Sequence, residues 1–382
     1  MLSKDIRFKN FNLKLNNIKI KKDLDNLLNE NSEIIKSLKP NYKYQYNKKL
    51  IKDNLKEKVL KIIGMGGSVL GTHAIHDFLK HKIKKKIIFH GNLGSNLKDN
   101  QKSTNIIVSK SGNTLETIVN ANILIKKRQK NIFITEAKNS FLRALALKIK
   151  AEIIDHNNYI GGRYSVLSEV GMLPAELMGL NESKFKQLNN LIKNKNFINS
   201  LILNVSSTLF FIKNKKLNSI ILNYDDSADN LFKWYQQLIA ESLGKKGKGI
   251  LPVISSMPKD NHSLMQLYLD GPKNNFFTFF YVKENNTIKI NGNSIAKSHN
   301  YLKNKTLEKI RFSQKVATEN VFLKNKIPFR SFEVLKKDEK SLGELFCFFI
   351  LETILLGRAL NVNPYDQPSV ELIKEATKKI LI

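Results

Sequence analysis

The chain has 382 residues, enough for about two or three domains, and its hydrophobic content of 42% can supply well-formed cores. A net charge of +31 would suit nucleic acid or an anionic membrane as partner, but only seven of the 64 basic residues are arginine. Because sequence-specific DNA binding relies on the guanidinium fork, this lysine excess argues against a nucleic-acid partner.

Other bulk features predict a soluble, cytoplasmic protein with no membrane partner. The first ten residues lack the apolar run of a secretory signal. The longest uncharged stretch, 196–212, is shorter than the roughly 20 apolar residues that cross a bilayer. The lone Cys347 lies in an apolar run, which predicts a buried core residue and no disulfide.

The first part of the chain predicts a sheet of parallel strands. Residues 1–50 are rich in Lys and Asn and include a helical patch over 23–38. Strands are predicted over 59–63, 86–90, 105–109, 131–135 and 152–155, and helices over 115–127 and 141–150. Strands separated by helices of this length indicate βαβ units whose sheet is covered on both faces.

A second series of strands follows a helical connector. It contains predicted strands over 219–223, 250–254 and 276–282, a helix over 227–243 and a long apolar helix over 342–360. The fold class is therefore α/β with two sheets and a closing C-terminal helix. The predicted segments are an N-terminal segment 1–50, a first domain 51–180, a connector 181–215, a second domain 216–360 and a C-terminal helix 361–382.

A glycine-rich loop, GMGGSVLG over 64–71, follows the first strand of this first sheet and opens a helix. It resembles a dinucleotide fingerprint but departs from it twice. Val69 stands where the third glycine belongs, and the next strand ends in His90 rather than an acidic ribose ligand. On its own, the loop is compatible with a phosphate cradle or with a plain tight turn.

A second loop, SKSGNTLET over 109–117, also connects a strand to a helix. Its hydroxyl groups and the free N–H groups of the helix suit the oxygens of a phosphate monoester. An ordinary N-cap rich in Ser and Thr is the alternative. Two such loops in one sheet favour a phosphate site.

Three further motifs follow in order: GGRYSVLS over 161–168, WYQQLIAESLGK over 234–245 and QPSVELIK over 367–374. Together with the two loops they resemble the motifs of the glucose-6-phosphate isomerase family. The resemblance implies two sugar-isomerase (SIS) domains with parallel-rich sheets between helices, a C-terminal helix packed over the active site, and a role in glycolysis and gluconeogenesis. It implies a sugar-phosphate substrate and no cofactor.

Moving a proton between C1 and C2 of a sugar needs a carboxylate base and a cation near the developing oxyanion. Glu241 lies near the end of a predicted helix, and Gln237, four residues earlier, shares its face. By position alone, Glu241 could be a solvated helix-end charge, and Arg163 could form a structural salt bridge. The resemblance implies that Glu241 is the enediol base and that Arg163 stabilises the enediolate.

His262 lies in a polar loop before a helix, where an imidazole can exchange protons near neutral pH. The resemblance implies that it opens the sugar ring and that a neighbouring subunit supplies it, hence a homodimer. It also implies that Lys374 and Gln367 contact the sugar and assist ring opening. The expected substrate- and phosphate-binding residues are Gly67, Ser68, Ser109, Lys110, Ser111, Thr114, Gly162, Gln237 and Gln367. No metal-ligand constellation is evident, so no metal is expected.

Some features depart from the family pattern or leave rivals open. Asn113 and Asp270 stand where Thr and Glu are usual, and the chain is shorter than typical members. A bifunctional enzyme that also isomerises mannose 6-phosphate is one alternative, which turnover of that sugar would decide. A non-catalytic sugar-phosphate sensor and a polyanion-binding protein are the others.

Overall fold

A computed structural model describes residues 2–94, 101–126 and 129–382. Its strands in these ranges are β1 Ile6–Lys9, β2 Val59–Gly64, β3 Lys86–His90, β4 Thr104–Val108, β5 Lys130–Thr135, β6 Glu152–Asp155, β7 Asn218–Asn223, β8 Leu251–Ser256, β9 Asn275–Val282 and β10 Phe329–Val334. Its α-helices in these ranges are α1 Ile18–Asn29, α2 Glu33–Ser37, α3 Lys48–Asn54, α4 Leu70–Phe78, α5 Leu115–Leu124, α6 Phe141–Lys148, α7 Glu169–Leu177, α8 Leu188–Ile192, α9 Lys195–Lys213, α10 Asp229–Leu243, α11 Met265–Asp270, α12 Leu307–Lys324, α13 Glu339–Ala359 and α14 Val370–Leu381.

The first sheet is fully parallel, with strand order β3-β2-β4-β5-β6. Its central strands are buried on both faces, which explains their near-continuous apolar sequences. Ile62 and Ile106 face the main core, whereas Ile63 and Ile107 face a smaller cluster containing residues of α5 and α6. The α/β class and the predicted strands are confirmed here. Helix α6 ends two residues before the prediction, close to Lys150, whose φ is +54°.

The second sheet has the order β1-β10-β9-β7-β8 and is parallel except for β1, which is antiparallel to β10. The pattern did not predict β1, a four-residue strand. It is held in place by Phe8, whose ring centroid lies 4.4 Å from that of Phe332 and 5.5 Å from that of Phe348. Part of the N-terminal segment therefore belongs to the second sheet.

Helix α13 runs through the main core and is buried along most of its length, including Cys347. It packs against α9, α10 and α1. Burial raises the pKa of the Cys347 thiol to about 12, which keeps it protonated and unreactive. None of the helices in the described ranges has the length and apolar character needed to cross a bilayer.

A buried polar network fixes α10 to the second sheet. Arg330 on β10 pairs with Glu352 of α13 and donates from Nη2 to the Tyr235 hydroxyl of α10 at 3.1 Å. The Tyr235 hydroxyl in turn donates to Glu352 Oε2 at 3.1 Å. Because a buried ion pair is costly unless its hydrogen bonds are satisfied, this network strongly constrains the position of α10.

His156 gives a testable pH dependence. Its ring is buried, and burial lowers its pKa from 6.5 to about 4. Between these values the unfolded chain binds a proton that the folded chain does not, so stability falls as the pH drops from 6.5 to 4. Relative to His156→Gln, the wild type should lose up to about 1.4 kcal/mol of unfolding free energy per pH unit in this window.

Urea denaturation at several pH values measures this difference. His299→Gln changes an exposed histidine and should follow the wild type. A difference between wild type and His156→Gln that stays constant from pH 7 to pH 4 would contradict the prediction.

Candidate active site

The candidate site begins where the glycine loop meets the 161–168 motif. A Cβ added to Gly67 would lie 2.5 Å from the Arg163 backbone nitrogen and 2.8 Å from the Gly162 carbonyl oxygen. Gly66 has a φ of +55°, a conformation that favours glycine. The two glycine motifs are therefore in direct main-chain contact, and this contact presents Arg163 beside the loop.

Arg163 is 2% exposed and every part of its guanidinium is engaged. Its Nε donates to Ser242 Oγ at 2.8 Å, and its Nη1 contacts Glu241 Oε2 at 3.2 Å and Gln367 Oε1 at 2.6 Å. Its Nη2 donates to the carbonyl oxygens of Pro364 at 2.7 Å and Asp366 at 3.0 Å. The structure thus brings together residues predicted from three separate motifs.

Glu241 occupies the last turn of α10, which is capped by Gly244. Its Oε1 accepts a hydrogen bond from Gln237 Nε2 at 2.8 Å, while Oε2 faces Arg163. The side chain is 28% exposed, so the carboxylate is held on two sides and open on the rest. The prediction that Gln237 and Glu241 share a helix face is confirmed.

Gln237 has one unused acceptor. Its Oε1 is buried and has no hydrogen-bond partner among the described residues. Its amide also borders the glycine loop, because Nε2 lies 3.1 Å from the Cβ position of Gly66. A buried acceptor without a partner is costly, so a hydroxyl donor from a ligand would be favourable here.

The 109–117 loop is preorganised by its own hydroxyl groups. Ser109 Oγ lies 3.0 Å from Thr114 Oγ1 and accepts from the Gly112 N–H at 3.2 Å. Ser111 Oγ accepts from the Asn113 N–H at 3.2 Å. Helix α5 begins at Leu115, so its free N–H groups point towards this loop. Ser68, in the other loop, sits on one turn of 3₁₀ helix, Gly66–Ser68.

Lys110 is a partly buried cation in the 109–117 loop. Burial lowers its pKa, Glu136 at 3.6 Å opposes this shift, and the charge of Arg163 adds to the lowering. Its Nζ donates to the Asn158 carbonyl at 2.9 Å.

Asn113 is one of the departures from the family pattern. Its Oδ1 accepts a hydrogen bond from the Phe141 N–H at 3.0 Å, at the first residue of α6.

Two predicted catalytic residues are not brought to this cluster within the chain. His262 is exposed, and none of the hydrogen bonds described joins its ring to Glu241 or Arg163. Lys374 lies on α14, where it pairs with Glu371 at 2.6 Å. Helix α14 forms as predicted and has no buried residue in this chain, so its packing over the site stays a prediction. Its pattern predicts a helix but contains no information on where it docks.

Sequence reasoning missed residues that hold Arg163 in place. Tyr164 OH donates to the Pro364 carbonyl at 3.0 Å and lies 2.9 Å from Ser242 Oγ, which itself accepts from Arg163. Burial raises the pKa of Tyr164 to about 12, so the phenol remains a donor at neutral pH. Trp234 Nε1 donates to the Arg163 carbonyl at 3.0 Å. Ser242 and Tyr164 adjoin Glu241 and Arg163 in sequence, which was the only available signal.

The chain matches the family model described as phosphoglucose isomerase over residues 26–382. The chain belongs to this family. A relative from Methanocaldococcus jannaschii, named glucose-6-phosphate isomerase, is 34% identical over 84% of this chain and 83% of its own length. A relative of the same name from Mycoplasmopsis pulmonis is 33% identical over 85% and 83%.

Solved structures share the fold at lower sequence identity. A hypothetical protein from Thermus thermophilus superposes with a TM-score of 0.82 at 22% identity, covering 95% of this chain and 94% of that one. A glucose-6-phosphate isomerase from Chlamydia trachomatis has a TM-score of 0.72 at 16% identity, covering 95% of this chain and 83% of that one.

In the described part of the chain, no group of three or more His, Cys, Asp or Glu is placed to hold a metal.

The contact between the glycine loop and the 161–168 motif can be tested by adding a methyl group at Gly67. Gly67→Ala should destabilise the fold by about 1–3 kcal/mol, because the added Cβ must displace the main chain at Arg163. Gly161→Ala is the matched control, since its Cβ would meet only Tyr164 Cδ2 at an ordinary 3.7 Å. Urea denaturation of both variants measures the difference, and equal stability would contradict the contact.

Proposed function

We propose that this chain is a glucose-6-phosphate isomerase, acting as a cytoplasmic homodimer that interconverts glucose 6-phosphate and fructose 6-phosphate. The observation that carries the proposal is a single carboxylate, Glu241, held between Gln237 and the buried Arg163. A base beside a fixed cation is what enediolate chemistry requires. Family membership and the names of the relatives support the same activity.

The substrate phosphate binds at the loop of Ser109, Ser111 and Thr114. Their hydroxyls and the first N–H groups of α5 donate to its oxygens, and Lys110 supplies a positive charge. Gly67 and Ser68 line the neighbouring loop, where the main chain can approach the ligand closely. Anchoring the phosphate in this way leaves the far end of the open-chain sugar to reach Glu241.

Glu241 removes the C2 proton of the aldose as the carbonyl oxygen at C1 gains the negative charge of an enediolate. The Arg163 guanidinium, which is itself buried, faces this charge and stabilises it. The proton of the C2 hydroxyl passes to the C1 oxygen, and the protonated Glu241 returns its own proton to C1, which gives the ketose with its carbonyl at C2. Gln237 Oε1, which has no partner among the described residues, accepts a hydrogen bond from a sugar hydroxyl.

Ring opening precedes this step and uses His262 and Lys374. His262 is supplied by a second copy of the chain, which is compatible with its exposed position. Lys374 approaches when α14 moves from its exposed position onto the site, guided by Gln367 at its start. These two groups exchange protons with the ring oxygen and the C1 hydroxyl.

The activity is tested by coupled conversion of fructose 6-phosphate to glucose 6-phosphate with a chelator present. Glu241→Gln should lower kcat by about 10²- to 10⁴-fold, because the amide cannot accept the proton. Glu152→Gln makes the same change at an exposed carboxylate and should remain active. An inactive wild type would refute the isomerase assignment for this sugar pair, and a fully active Glu241→Gln would show that another group is the base.

A mixing experiment tests whether two subunits share each site. Glu241→Gln and His262→Ala proteins should each be inactive, but their heterodimers would contain one intact site. An equal mixture after subunit exchange should therefore regain about a quarter of wild-type activity in a symmetric dimer. If both residues act within one subunit, the mixture stays inactive.

A further inference from the structure

The segment that follows α13 is fastened to the loop that follows α10. Helix α13 is followed by Asn361, which has a φ of +53°, and the Val362 N–H closes the last turn on the Gly357 carbonyl at 3.0 Å. Residues 363–367, here called the strap, then cross to Arg163. We call residues 244–249, which contain three lysines, the lysine loop.

Lys245 is the main fastening point between these two segments. Its Nζ lies 2.7 Å from Asp366 Oδ1 and also donates to the Asn363 carbonyl. The Lys245 side chain is only 11% exposed, whereas that of Asp366 is 52% exposed. Further back, Lys248 Nζ donates to the Leu360 carbonyl at 2.7 Å. The lysine loop therefore contacts the chain at two places, at Leu360 directly after α13 and at Asn363 and Asp366 in the strap.

The position of the strap decides what Arg163 contacts. Gln367 and the carbonyls of Pro364 and Asp366, three of the acceptors on the guanidinium, all belong to the strap. Glu241 lies four residues before Lys245, on the helix that the lysine loop terminates. A shift of the strap would therefore change the neighbours of Arg163 directly beside the carboxylate.

We propose that Lys245 is a positioning residue for the isomerase reaction: through Asp366 and Asn363 it holds the strap so that Gln367 stays on Arg163. The inference rests on the proposed function and adds to it a residue that touches neither Glu241 nor Arg163. Its effect on the reaction passes through Gln367.

The test uses steady-state isomerase kinetics on the full chain. Lys245→Met and Asp366→Asn should each lower kcat/KM by about 10- to 100-fold, because displaced groups orient the substrate poorly. Lys246→Met is the matched control, since Lys246 is exposed in the same loop, and it should keep wild-type kinetics. Lys245→Arg retains the cation and should recover most of the activity.

A double-mutant cycle separates positioning from a purely structural role. In a Gln367→Ala background the strap no longer carries an acceptor side chain to Arg163, so adding Lys245→Met should lower kcat/KM by less than about threefold more. Losses that simply multiply would overturn the proposal, as would normal kinetics for Lys245→Met in an active wild type. Asp366→Asn answers the same question if Lys245→Met does not fold. An inactive wild type would instead refute the proposed function, and this inference with it.

Discussion

The site depends on one constraint, the burial of the Arg163 guanidinium. A buried cation must have its N–H groups satisfied, and desolvating it costs several kcal/mol unless a compensating charge is close. The chain meets this need with hydroxyl, amide and carbonyl oxygens, but Glu241 is the acid in contact with Arg163 among the described residues. The group proposed as base is therefore also the counter-ion that makes the buried arginine tolerable, so chemistry and stability are linked at this pair.

A second buried arginine holds the other side of the same helix. Arg330 engages Tyr235 on α10 from the second sheet, while Arg163 engages Ser242 on α10 from the segment after the first sheet. Trp234 adds a hydrogen bond to the Arg163 carbonyl. Helix α10 is thus located by polar contacts from both halves of the molecule, and these directional contacts determine its register as well as its depth.

Local patterns in the sequence predicted the features that depend on neighbours along the chain. Apolar strands separated by helices, the two loops and the shared face of Gln237 and Glu241 were all apparent. The contacts that Ser242, Tyr164 and Lys245 make could not be predicted, because each joins segments far apart in sequence. Strand β1 is too short to show a period, and the docking of α14 leaves no mark in its own residues. The role proposed for His262 depends on a second chain, which a single sequence does not describe.

The main-chain contact between Gly67 and Gly162 has a mechanical consequence. A contact between side chains can absorb movement by changing rotamers, but two backbones in van der Waals contact move together. The glycine loop, which borders the phosphate in the proposed function, is therefore rigidly joined to the peptide that carries Arg163. We therefore expect the proposed site to keep a set spacing between the phosphate and the guanidinium, and so to select its ligands by length.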